Sequence, residues 1–208
     1  MEAPRRPIVQ VAYSYNPLEE TLEYIPKKKS VFIGIPKENS FQENRIALTP
    51  GAVSVIVHNG HQVCIEHLAG EGSSFSDAAY AEAGAQIVHD KKKIFEADIL
   101  LKTAPIATDE LDLLREGQIV FSPIHIPSLS KEHLLHYLDK QIIGIALGNI
   151  KDDAGYFPIV RSMSQIAGVF AIQIASKYLS NLHAGKGILL GGIAGVPPAS
   201  IVIIGAGM

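Results

Sequence analysis

The chain is short of several things, and each shortage removes a class of protein. It has one cysteine, Cys64, inside the apolar run Val63-Cys64-Ile65. A single thiol closes no disulfide within the chain, which suits a reducing compartment, and its setting suits a small buried hydrophobe better than a nucleophile. There is no surplus of positive charge, since 18 Lys and Arg stand against 21 Asp and Glu. A nucleic-acid binder would show a basic face, so no nucleic-acid partner is expected. No uninterrupted apolar stretch reads as long enough to span a bilayer, and Met1–Ser30 lacks the apolar centre of a secretory signal. The expectation is a cytoplasmic protein without a membrane partner. Short-period repeats and low-complexity tracts are also missing. His133 and His136 share one helix at i, i+3, but no carboxylate or cysteine set converges on them in sequence, so no metal is expected.

What is present is apolar. At 47% hydrophobic residues over 208 positions, the chain can bury a good core, and its length suits one domain plus part of another. Val31–Ile35 reads as a buried strand halted at Pro36, followed by a polar loop, Arg45, and a helix opened by Thr49-Pro50 with Thr as N-cap. Further strands are expected at His61–Glu66, Ala85–Val88, Asp98–Lys102, Gln118–Ser122 and Gln141–Leu147. Helices alternate with them: Pro50–Asn59, Ser76 capping a short helix to Ala83, a turn at Lys91–Glu96, Thr108–Arg115 capped by Thr108, and Ser130 capping a helix to Asp139. Strands this apolar, alternating with helices, predict a parallel sheet covered on both faces.

Beyond Lys151–Pro158 the pattern changes. One long helix is expected from Ser162 to about Asn181, with apolar rows at Met163, Ala167, Phe170, Ile174 and Tyr178 and at Ile166, Val169 and Ile172. A helix apolar on two sides should be packed on two sides, as a strut between domains. A glycine-rich connector, Gly185–Gly192, leads to a β-branched strand, Ile201–Ile204, and then Gly205-Ala206-Gly207. A strand running into Gly-x-Gly is how a dinucleotide-binding fold begins, and a chain stopping at Met208 is expected to be a fragment of a longer protein. Residues 1–30 read as a loose extension, with a short strand at Ile8–Ala12.

The candidate chemistry lies at strand ends. Arg45 follows the first strand, Lys102 ends the fourth, and His125 follows the fifth, so parallel pairing puts all three at one edge of the sheet. Arg45 could clamp a carboxylate in a planar fork or be a surface arginine. Lys102 could polarise a carbonyl or simply snorkel from a buried strand. His125 could move a proton near neutral pH or be a structural hydrogen-bonded ring.

Arg45 and Lys102 sit in motifs that resemble the alanine dehydrogenase and nicotinamide nucleotide transhydrogenase superfamily, a resemblance that runs from Val31 to Met208. The motifs are IGIPKE (Ile33–Glu38), NRIALTP (Asn44–Pro50), AGEGSSFSDAAYAEAGA (Ala69–Ala85), LLKTAPI (Leu100–Ile106) and GKGILLGGIAGVPPASIVIIGAG (Gly185–Gly207). His125 and the connector resemble alanine dehydrogenase more than transhydrogenase. The resemblance implies a flavodoxin-like or Rossmann-like substrate domain over residues 31–160, an interdomain helix and connector over 161–199, and the first strand of a Rossmann NAD-binding domain over 200–208. It implies Arg45 and Lys102 as substrate-binding residues, Lys102 and His125 as catalytic residues, and Ser164, Gly205 and Gly207 as cofactor-binding residues. It further implies NAD as cofactor, an amino acid and keto acid as substrates, and a homohexamer. The alternatives are a transhydrogenase alpha subunit, or a catalytically silent paralogue. The chain departs from the family pattern at Thr103-Ala104, at Leu147-Gly148 and at Gln165.

Overall fold

The structure, a computed structural model, describes residues 30–39 and 42–205. Six strands, Phe32–Ile35 (β1), Gln62–Glu66 (β2), Gln86–Val88 (β3), Ile99–Leu101 (β4), Ile119–Ser122 (β5) and Ile143–Ala146 (β6), form one sheet. The order is β3-β2-β1-β4-β5-β6, and all neighbours run parallel. This is the doubly wound Rossmann-type order, in which the chain winds outward from β1 to β3, then crosses back to β4. Between β1 and β4 the winding reverses, and the loops leaving their C-terminal ends diverge to leave a crevice.

Side-chain alternation along the strands divides the core in two. Ile33, Ile35, Val63 and Ile65 pack with Val53 and Tyr80, while Cys64, Leu100 and Val120 pack with Ile94, Phe95 and Leu111. Each group belongs to one face of the sheet, because successive strand residues point to opposite sides. The helices of the first group are Pro50–His58 (α1) and Asp77–Glu82 (α2); the second group is covered by Lys91–Phe95 (α3), a 3₁₀ segment at Thr108–Leu113, and Lys131–Asp139 (α4). The caps fall where short polar side chains precede apolar runs: Thr49 accepts from the Ala52 N–H, Ser76 from Ala79, Asp90 from Lys92 and Ser130 from His133. Gly34 has no room for a side chain, because a Cβ there would strike the Ile94 carbonyl, so α3 lies directly on β1.

Four expectations need correction. The segment expected as a helix over Thr108–Arg115 is a 3₁₀ segment ending at Leu113, and its cap is not Thr108. Glu110 Oε2 accepts the Ala107 N–H at 2.9 Å, and the Glu110 side chain turns inward. The long helix runs Pro158–Leu179 (α5), starting before Ser162, and none of its residues is buried. Its two apolar rows find no two-sided packing among the described residues. At 22 residues α5 is also long and apolar enough to cross a membrane by length and composition, although polar residues interrupt its apolar run. Finally, Ile201–Ile204 is not a strand: β-branched residues favour extended backbone, but a strand needs a ladder partner, and none is present among the described residues. The expected strand at Ile8–Ala12 lies outside the described residues.

Candidate functional site

The site is built where the sheet reverses direction. The loop after β1 carries Lys37, Glu38, Glu43 and Arg45, and the loop after β4 carries Lys102 and Thr103. Glu38 joins the two: its Oε1 accepts from Thr103 N–H at 2.6 Å, Thr103 Oγ1–H at 3.1 Å and Ala104 N–H at 3.3 Å. The loop after β1 is braced from the other side by the glycine-rich turn. Ser73 Oγ–H donates to the Asn44 carbonyl at 2.7 Å, and a Cβ on Gly72 would come within 3.0 Å of the Asn44 backbone. A side chain at 72 would therefore press on the Asn44 backbone, and glycine is favoured there by close approach. Tyr80, fully buried on α2, donates its hydroxyl to the Leu48 carbonyl at 2.8 Å, and Lys37 N–H donates to Glu66 Oε2 at 2.8 Å.

Arg45 sits in this braced loop. Its Nε–H and an Nη2–H donate to the two carboxylate oxygens of Glu43, at 2.7 and 2.5 Å, and its own backbone N–H adds a bond at 3.0 Å. Among the described residues Nη1 meets only the Met163 thioether of α5, at 3.5 Å. Hydrogen bonding to Arg45, working against burial, holds the Glu43 carboxyl below its usual range, and the Glu43 bond likewise raises Arg45. Arg45, Glu43, Lys37, Glu38 and the glycine turn line a cavity of about 260 Å³. This is below the roughly 300–1,000 Å³ of pockets that hold drug-sized ligands, so it suits a small polar molecule.

Lys102 is held differently. Its ammonium is 2.9 and 3.1 Å from the two Glu110 oxygens and 3.2 Å from Glu38 Oε2. Lys91 reaches Glu110 from outside at 2.6 Å. Lys102, Glu38 and Glu110 are all nearly removed from water, at 2, 6 and 1% side-chain exposure. Burial pushes the Glu110 carboxyl up, but Lys102, Lys91 and the Ala107 N–H together outweigh it and leave it below its usual value. Tyr137 is pushed up to about 12, first by burial and then by the Glu110 charge. Glu38 Oε2 lies beside the ammonium without a hydrogen bond directed at it. Lys102 does not line the 260 Å³ cavity.

His125 is exposed at the start of a 3₁₀ turn, Ile126–Ser128. Ser128 Oγ–H donates to the His125 carbonyl at 2.9 Å and lies 3.2 Å from His125 Nδ1. With the serine proton used on the carbonyl, Nδ1–H donates to Oγ, an assignment made from the network, and Nε2 has no hydrogen-bond partner among the described residues. His125 does not line the cavity either. Ser164 is half-buried on α5, one residue beyond Met163. Gly205 takes a φ of +116° with open space around it, and Gly207 lies outside the described residues. Both ring nitrogens of His133 are engaged, by Ser130 Oγ and the Ile106 carbonyl.

The structure thus puts Arg45 at the cavity and Lys102 behind it. Sequence reasoning missed three carboxylates, Glu38, Glu43 and Glu110. Glu43 carried a local signal, an acid two residues before the arginine in one loop. Glu110 was signalled by Lys102 itself, since a lysine ending a buried strand requires a counter-charge.

Comparison with known proteins accounts for this architecture. The family profile "Alanine dehydrogenase/PNT, N-terminal domain" matches residues 34–167, and "Alanine dehydrogenase/PNT, C-terminal domain" matches 171–208. The chain belongs to the alanine dehydrogenase/PNT family. An alanine dehydrogenase of Methanococcus maripaludis is 41% identical over 182 residues, covering 86% of this chain and 48% of that protein. A solved L-alanine dehydrogenase superposes with a TM-score of 0.77 at 34% identity, over 80% of this chain and 46% of that one. A transhydrogenase from Sinorhizobium meliloti shares the fold, with a TM-score of 0.53 at 24% identity, over 59% of this chain and 36% of that one. The chain spans about half the length of the curated relatives it matches.

Proposed function

We propose that the chain supplies the substrate-binding part of an alanine dehydrogenase-type enzyme, which oxidatively deaminates L-alanine to pyruvate and ammonium with NAD⁺. The supporting observation is the small cavity between the loops after β1 and β2, where Arg45 is presented on a braced loop with an edge of its guanidinium met, among the described residues, only by a thioether. A guanidinium edge of this kind recognises a carboxylate in two parallel hydrogen bonds. His125, with Nε2 open, is the proton-transfer group on this reading. Lys102 would meet a substrate oxygen only if Glu38 Oε2 yields its place beside the ammonium. The transhydrogenase reading has weaker support, because that likeness is one of fold.

The described residues do not build a dinucleotide cradle: Ile201–Ile204 is unpaired and Gly205 has open space where a nucleotide-binding turn would be closed. NAD would accept the hydride in the intact enzyme, and no step performed by these residues is routed through it. Ser164, Gly205 and Gly207 remain the proposed cofactor contacts. A cytoplasmic homohexamer, acting on small molecules with no nucleic-acid or membrane partner, completes the proposal.

The test is alanine-dependent NADH formation by the intact enzyme, with Arg45→Gln and His125→Ala beside it. Loss of activity in both supports the reading. Undiminished turnover in His125→Ala would remove it from the proton transfer, and no alanine turnover in the unaltered enzyme would remove alanine as substrate.

A further inference from the structure

Arg45 has two hydrogen-bonding edges, and the structure uses them unequally. A guanidinium offers five N–H groups in a flat fork: one edge is Nε with one Nη2–H, and the far edge is Nη1 with the other Nη2–H. Glu43 occupies the first edge completely, with both carboxylate oxygens and with a third bond to the Arg45 backbone N–H. Glu43 is also well shielded, at 13% side-chain exposure against 53% for Arg45. Among the described residues the far edge meets only Met163 Sδ, at 3.5 Å. A thioether is a weak acceptor, and a carboxylate oxygen would displace it readily.

We propose that Glu43 is the positioning residue for the carboxylate-binding edge of Arg45, and that Met163 is the group a bound carboxylate displaces. The proposal rests on the carboxylate-binding role given to Arg45 above. Holding the inner edge costs the arginine most of its side-chain freedom before any ligand arrives. The outer edge is then held in one orientation, so that less entropy is lost when two further hydrogen bonds form. The sign of the effect separates this role from a purely electrostatic one. Glu43 and the ligand carry like charge, so neutralising Glu43 should strengthen carboxylate binding if charge alone mattered. A positioning role requires the opposite.

The chain has three methionines, Met1, Met163 and Met208, so its methyl-¹³C-methionine spectrum is simple to follow. Pyruvate would be titrated into the chain, with heat and the Met163 methyl signal both recorded. The expected result is saturable binding that shifts Met163, binding lost in Arg45→Gln, and a midpoint raised about tenfold in Glu43→Gln despite the lost negative charge. Glu43→Asp, which keeps the charge but is one methylene too short to span both nitrogens, should also raise the midpoint and serves if Glu43→Gln fails to fold. An unchanged or lowered midpoint in Glu43→Gln would overturn the positioning role while leaving Arg45 as the clamp. Heat without movement of Met163 would overturn the edge assignment. No pyruvate binding by the unaltered chain, or binding that survives in Arg45→Gln, would overturn the carboxylate reading and this proposal with it.

Discussion

Two cations stand on either side of the point where the sheet reverses. Arg45, after β1, is 53% exposed and has one carboxylate partner; Lys102, after β4, is 2% exposed and has two. The difference follows from what each charge costs where it sits. A buried ammonium without full compensation is prohibitive, so Lys102 is enclosed by Glu110 and Glu38 and fixed in place. An exposed guanidinium is solvated on whatever edge the protein leaves unused, so Arg45 can afford a partner on one edge only. One cation is therefore part of the framework and the other is available to a ligand.

The first way to break this comparison is to remove the framework cation. Lys102→Met should destabilise the chain by about 3–5 kcal/mol, because it leaves two buried carboxylates short of a partner. Urea unfolding measures it, and a loss under about 1 kcal/mol would show that Lys102 is no more structural than a surface charge. Glu110→Gln comes next, with a loss of about 1.5–3 kcal/mol at neutral pH from hydrogen bonds to charged groups. It should also change the acid limb. Glu110 has a folded-state pKa below its ordinary value of 4.5, so its contribution is fully present above that value and is lost as pH falls through the folded pKa. Melting temperature recorded from about pH 6 down to about pH 3 should fall less steeply in Glu110→Gln than in the parent. Parallel curves would mean that Glu110 is not a source of acid sensitivity.

Much of the fold is legible because its signals are local. Thr49, Ser76 and Ser130 are small hydroxyl residues just ahead of apolar runs, and each caps the helix expected of it. The six strands read correctly because they are apolar, short and bounded by Pro, Gly or charge. What fails is whatever depends on a distant partner. Thr108–Arg115 has the composition of an amphipathic helix, but Glu110 is drawn inward to Lys102 and Lys91 and back to Ala107, and the segment tightens into 3₁₀ turns. Glu38 finds Thr103 across 65 residues, which no spacing rule reveals. Ile201–Ile204 has every local property of a strand and lacks only a neighbour. At the candidate site, the placement of Arg45, Lys102 and His125 at strand ends was readable; their unequal burial was not, because that depends on the carboxylates that surround them.

The comparison can be sharpened further on the β1 side. Tyr80→Phe removes the hydroxyl that ties α2 to the Leu48 carbonyl behind Arg45, and should cost about 1–2 kcal/mol. It leaves every charge in place, so any accompanying weakening of pyruvate binding would report on loop bracing alone. A change smaller than about 0.5 kcal/mol would show that water replaces the bond without penalty.

The smallest effect on stability is expected at Arg45. A double-mutant cycle of Arg45→Gln and Glu43→Gln, read by urea unfolding, should give a coupling of about 0.2–1 kcal/mol, as for exposed pairs. The pair is local in sequence and half-solvated, so the unfolded chain forfeits little by lacking it. Added salt should shrink the coupling further, since an exposed pair is screened. The buried Lys102–Glu110 pair, in the same salt series, should hold its value. A coupling at Arg45 as large as that at Lys102 would place both cations in the framework, and the distinction between a structural charge and a ligand-binding one would fail at this sheet edge.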